Sequence, residues 1–138
     1  MNKHELLAKI QGIEIVPGTA IYDEIHELKA NNEQLVMEMN EKYHTPNEVR
    51  GYLERITGKE IADSVAISLP FYTDYGRHIS FGRDIFINQN VMYVDLGGIV
   101  IEDHVLIGPM CRIITVNHLV EPKRRRGISV SSVKIEEN

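Results

Sequence analysis

His118 stands in the stretch TVNHL, residues 115–119, where a regular pattern of apolar residues breaks off. An imidazole with its ordinary pKa of about 6.5 can take up a proton at neutral pH. Asn88, in FINQN, carries an amide that can donate to an oxygen gathering negative charge. Asp23 in IYDE, Asp74 in YTDYG and Asp95 ahead of Gly97-Gly98 carry carboxylates, which accept bonds from hydroxyl groups. Taken singly, each has a plainer explanation: a loop histidine, an asparagine at a turn, solvated acids. Cys111 is a lone thiol at an apolar position and reads as buried and unreactive. Lys123, Arg124, Arg125 and Arg126 form a local basic run, which suits phosphate groups or a solvated loop tip.

The whole chain limits what these residues can serve. Its 138 residues make one domain, or one with a small appendage, and 43% apolar with 25% charged residues is ordinary for a globular protein. A formal charge of −5 gives no reason to expect nucleic acid. No apolar run approaches the roughly 18 residues of a membrane span, and the start, MNKHELLAKIQ, does not read as a signal peptide. One cysteine allows no internal disulfide, so a cytoplasmic location is expected.

Two kinds of period divide the chain. Residues 1–60 read as a helical region. Ile21, Ile25, Leu28, Leu35, Met39 and Tyr43 recur as on one helix face. Thr45-Pro46-Asn47-Glu48 carries a cap, a first-turn proline and a capping-box glutamate for a helix over roughly 46–56. His4, His26 and His44 in this half are expected to be solvated.

From residue 61 the period changes. Ile79, Ile85 and Val91 are six apart, as are Ile99, Val105 and Cys111, and the second trio follows the first by 20. The positions two further on are apolar as well. Such a fixed period reads as short strands joined by tight corners, three to a turn, whose turns must stack to bury their apolar faces. Val65 and Phe71 look like an earlier, less regular coil. VKIEEN, residues 133–138, repeats the pattern of IVIEDH, residues 99–104, after an excursion at about 117–132.

The stretches LPFYTDYGRHISFGRDIFINQNVMYVD and GGIVIEDHVLIGPMCRIITVNH resemble the hexapeptide-repeat O-acetyltransferases of the maltose and galactoside acetyltransferase type. The helical half resembles the small domain that precedes the repeats in that family, with Ala20-Ile21-Tyr22-Asp23 near its opening. The resemblance implies a mainly β fold, a left-handed parallel β-helix behind a small helical region, and a homotrimer. It implies transfer of acetyl from acetyl-CoA to a sugar hydroxyl, with no metal. His118 is then the general base and Asn88 the donor near the acetyl group, while Asp23, Asp74 and Asp95 line the acceptor pocket.

In a 20-residue register His118 would stack on Gly98, one corner away from Asn88. A side of the coil is about 16 Å long, so the two side chains are expected to meet across a subunit interface. The family's later coils form most of the acetyl-CoA groove, so the chain reads as truncated ahead of them. Other readings stay open: an acetyltransferase for a drug-like hydroxyl, a non-catalytic oligomerising β-helix, or a metal-dependent β-helix enzyme of the carbonic anhydrase kind using His78, His104 and His118.

Overall fold

A computed structural model describes residues 3–137 of the chain. Three helices come first: α1 (Lys3–Ile10), α2 (Ala20–Asn40) and α3 (Pro46–Thr57). Thr19 caps α2 by accepting the Tyr22 N–H. At α3 the capping box forms as the sequence predicts, with Thr45 accepting from Glu48 N and Glu48 accepting from Thr45 N, and Gly58 ends the helix at φ 68°. Tyr43 lies past the end of α2 and is 84% exposed, so it is no part of that helix's apolar face. His44 is buried rather than solvated, edge-on to the Tyr52 ring and near Glu48. The His4 side chain lies outside the described residues.

Strands follow from residue 65: β1 (Val65–Ile67), β2 (Phe71–Thr73), β3 (Ile79–Phe81), β4 (Ile85–Ile87), β5 (Val91–Val94), β6 (Ile99–Ile101), β7 (Leu106–Ile107) and β8 (Arg112–Ile114). β9 (Val116–His118), β10 (Ile128–Val130) and β11 (Val133–Ile135) complete the order. Three parallel sheets form the sides of a three-sided coil: β1-β4-β7, β2-β5-β8 and β3-β6-β11. Every third strand stacks on its predecessor. Val65 pairs with Ile85, Phe71 with Val91 and Ile79 with Ile99, each an offset of 20 residues. The first coil, expected to be less regular, keeps this same register.

The register explains the core. Strand side chains alternate between faces, so Val65, Ile85 and Val105 point inward in one column and Ile67, Ile87 and Ile107 in the next. Phe71 and Tyr93 meet edge to face inside, with ring centroids 5.3 Å apart. Corners repeat at the same offset: Asp84 and His104 both have φ near 60° (54° and 61°), as do Asn90 (61°) and Met110 (65°). Asn, Asp and His tolerate that region better than other side chains, so three of these four positions suit their conformation.

VKIEEN does stack on IVIEDH, with Val133 opposite Ile99 and Ile135 opposite Ile101. The excursion before it is an ordered hairpin. β9 and β10 pair antiparallel, with His118 opposite Ile128 and Val116 opposite Val130. Thr115 still occupies the coil, donating its N–H to Val94 O, and the coil resumes where Ser131 N donates to Thr115 O. Consequently His118 does not stack on Gly98. Ser132 sits over that glycine instead, 3.7 Å from where a Cβ would be. A second apolar cluster, including Leu6, Ile10, Ile15, Tyr75, Leu96, Ile128 and Val130, holds the hairpin base against α1. Ile15 and Ile128 exchange two backbone bonds of 2.8 Å.

Cys111 is only partly buried, where full burial was expected. It packs on the core cluster one coil above Val91, and no strand in the described residues covers it from above.

One corner also carries a charge ladder. His104 Nδ1 meets Asp84 Oδ2 at 2.6 Å and its Nε2 lies 3.6 Å from Glu137 Oε1, so it links three coils. The hydrogen bond that His104 Nδ1 donates to Asp84 holds the imidazole pKa above its ordinary value, with the charges of Glu137, Asp84 and Asp103 adding.

Ile99 is fully buried between β3 and β11. Ile99→Ala is expected to cost about 2–5 kcal/mol, read as a lower midpoint in urea unfolding. For His104 the folded pKa is raised, so its stabilisation is complete below the unfolded value and fades as pH rises through the folded one. An NMR titration of His104 should give a pKa above that of a model peptide, and Asp84→Asn should bring it down.

Candidate active site

The base candidate is fixed by the hairpin. His118 is exposed on β9, and its Nδ1 lies 2.8 Å from the carbonyl oxygen of Arg125, on the opposite limb. A carbonyl oxygen only accepts, so Nδ1 carries the hydrogen and Nε2 carries the lone pair. The tautomer that a general base requires is thus set by the backbone. Leu119 N donates to Gly127 O and a 3-10 turn at Pro122–Arg124 closes the loop. Gly127 fits closely there: a Cβ would stand 2.7 Å from Leu119 Cδ1, so that side chain would have to move to admit one. Arg124 is tied to Glu14, and a small cleft of about 440 Å³ is lined by Val16, Pro17 and the basic run.

Asn88 sits at the corner between β4 and β5. Its N–H donates to Ile107 O, and its side-chain oxygen accepts the Gln89 N–H at 2.8 Å. That leaves the side-chain NH₂ available as a donor. Within one chain Asn88 and His118 are not brought together. Asn88 precedes the β2-β5-β8 side, whereas the hairpin leaves from the corner that follows it.

Asp74 continues the outward column of Val94 and Ile114 along that same later edge. It pairs with Lys29 of α2 at 3.1 Å, and its side chain keeps 18% exposure. The pair closes one end of a groove of about 900 Å³ between α2 and the outer face of β2 and β5. Val36, Met37, Tyr72, Met92 and Val94 give the groove an apolar stretch, His26, Lys29 and Asp74 a polar end, and Glu33, Asn40 and Glu41 further polar lining along α2. His26 is exposed, as expected; its ring stacks on Tyr22 with centroids 4.0 Å apart, and it also borders the groove. Asp23 is exposed in the first turn of α2, one turn before His26, and does not line the groove.

Asp95 differs from the expectation that it lines the acceptor pocket. It is fully buried under the corner. Its Oδ1 accepts from Thr73 Oγ1, Tyr75 N and Gly76 N at 3.0, 2.8 and 2.9 Å, and Oδ2 accepts from His78 N at 3.1 Å. Burial pushes its carboxyl above the usual range, against the pull of those four donors. The carboxylate has no surface to offer a ligand.

Lys29 and Asn32 were missed from sequence. Lys29 carries no local signal. Asn32 did carry one, since it interrupts the apolar stripe of Ile25, Leu28, Val36 and Met39. It donates to Thr73 O and Asp74 O, both at 3.1 Å. Among the described residues no group of three or more His, Cys, Asp or Glu could hold a metal, and no helix is long and apolar enough to cross a membrane.

A parallel three-sided coil with helices ahead of it and a hairpin at one edge has known counterparts. No family model matches the chain. It is 35% identical over 115 residues to the galactoside O-acetyltransferase of Lactococcus lactis, covering 80% of this chain and 56% of that protein. A hexapeptide-repeat acetyltransferase from Vibrio cholerae superposes with a TM-score of 0.75 at 26% identity, over 95% of this chain and 69% of the other. The crystal structure of that protein complexed with acetyl coenzyme A gives a TM-score of 0.70 at 25% identity, over 96% and 69%. The chain is thus related, in sequence and in fold, to the hexapeptide-repeat acetyltransferases. It spans little more than half the length of the Lactococcus relative.

The tautomer is directly measurable. Long-range ¹H–¹⁵N correlation spectra of the neutral His118 ring should show Nδ1 protonated and Nε2 bare. A predominantly Nε2-protonated ring would contradict the Arg125 contact.

Proposed function

We propose that the protein works as an acetyl-CoA-dependent O-acetyltransferase acting on a sugar hydroxyl, in a homotrimer of left-handed parallel β-helices in the cytoplasm. The observation that carries the reading is the bond that presents His118 Nε2 as a free base. The relatives carry the rest. One is named a galactoside O-acetyltransferase, and another is seen with acetyl coenzyme A.

The chemistry asks little covalent work of the protein, because a thioester is already activated. His118 Nε2 takes the proton of the acceptor hydroxyl as its oxygen attacks the thioester carbonyl. The Asn88 NH₂ donates to the carbonyl oxygen as it becomes an oxyanion. Collapse of the tetrahedral intermediate breaks the C–S bond, and the sulfur leaves with the proton returned from His118. Asp74 accepts bonds from sugar hydroxyls at the polar end of the groove, and Asp23, exposed outside the groove, is the second acceptor contact that the family resemblance implies. Asn88 acts from the neighbouring chain, because a side of the coil, about 16 Å long, separates its corner from the hairpin within one chain. Lys123, Arg125 and Arg126 are placed to attract the phosphates of the donor.

The apolar length of the groove, through Met37, Tyr72 and Met92, favours a second reading of the acceptor as a drug-like hydroxyl compound.

His118→Ala should lower kcat for acetyl transfer by about 10² to 10⁴, with a smaller change in acceptor KM. The assay is acceptor-dependent release of free CoA thiol from acetyl-CoA. A variant that keeps more than half of the wild-type rate would exclude His118 as the base.

A further inference from the structure

We infer that Asp95 and Asn32 are the positioning residues of the acceptor site, gripping the turn at residues 73–78 from its two sides. The inference rests on the acceptor role given to Asp74 above. The grip is visible in the bonds themselves. From below, the Asp95 carboxylate takes three backbone N–H groups of this turn and the Thr73 hydroxyl. From α2, the Asn32 amide gives its two hydrogens to the carbonyls of Thr73 and Asp74. The orientation of that amide is not free, since the reverse would set an oxygen against two carbonyl oxygens. Both residues are buried, at 0% and 5% exposure.

Gly76 belongs to the same device. Its φ is 85°, and a Cβ there would stand 2.5 Å from Asn32 Oδ1 and 2.6 Å from Ile56 Cγ2. The turn is therefore pressed against α2 and α3 as well as bonded to them. Asp74 lies inside the gripped segment, with Lys29 on the same helix as Asn32. A buried carboxylate with four donors is costly to desolvate and fixes geometry in return. Here the fixed geometry is the direction in which the Asp74 carboxylate faces the groove. Asp95 touches no ligand and acts through Asp74.

The test compares the full chain with its Asp95→Asn form. Asparagine keeps one acceptor oxygen for Thr73, Tyr75 and Gly76 but sets an NH₂ against the His78 N–H. Amide exchange by NMR should therefore quicken most at His78, by about tenfold or more, while β4 and β7 amides change by less than about twofold. With methyl β-D-galactopyranoside as acceptor, KM should rise about tenfold, with acetyl-CoA KM within about twofold. Exchange that quickens uniformly along the chain, or a His78 amide as protected as before, would overturn the inference. Should Asp95→Asn not fold, Asn32→Ala releases only the carbonyl side. It should raise acceptor KM by a similar factor, and an unchanged acceptor KM would count against the grip. Exchange at His78 decides the positioning role whether or not acetyl transfer is detected, so failure of the grip is distinguishable from failure of the acetyltransferase reading.

Discussion

A parallel register of 20 residues sets the frame from which the residues of the site are placed, Asn88 and Asp74 directly and His118 through the corner its hairpin leaves. Three strands and three corners occupy each turn, so residue 73 lies under 93 and 93 under 113. Because the offset is 20 for every strand pair up to Ile114, corners stack on corners and inward columns stay apolar; it lengthens to 34, from Ile99 to Val133, only where the hairpin is inserted. No single turn could hold itself together, since each buries its inner face only against the next. The hairpin leaves this stack at one corner between Thr115 and Ser131, and both ends of the departure are tied. Thr115 Oγ1 donates to Val94 O and accepts from Gly97 N, and Ser131 N returns to Thr115 O. His118 is thus carried on a short lever whose fulcrum belongs to the coil.

Two further constraints turn a scaffold into a site. The first is α1, with the segment after it, which covers Ile128 and Val130 and bridges Ile15 to Ile128. The helical half is therefore no appendage to the hairpin, because it supplies the apolar surface that fixes the hairpin base. The second is α2, which roofs the groove and bonds the turn bearing Asp74. α2 roofs the β2 and β5 face, and the hairpin that carries His118 leaves from the corner after β8 on that same side of the coil.

Much of this was legible in the sequence because it follows from local periodicity. The six-residue spacing and the offset of 20 gave the sides of the coil, and Thr45 through Glu48 gave the start of α3. VKIEEN could be matched to IVIEDH by residue type alone. The hairpin was harder to read, since a loop of nine residues separates β9 from β10 and the pairing partner, Ile15, lies over a hundred positions away. Asp95 shows a second limit. An acid ahead of two glycines looks like a solvated corner, and only the tertiary structure reveals four donors converging on it. Cys111 shows a third, for its column is apolar but its burial depends on what lies above it.

The account turns on a site shared between chains, with His118 from one and Asn88 from its neighbour. Mixing the His118→Ala and Asn88→Ala chains, after unfolding and joint refolding, tests this most directly. Random assembly in a trimer restores one intact His118–Asn88 pair at about a quarter of the interfaces. The account predicts recovery of about a quarter of the wild-type rate of acceptor-dependent thiol release from acetyl-CoA. A mixture no more active than the two variants assayed apart would contradict it.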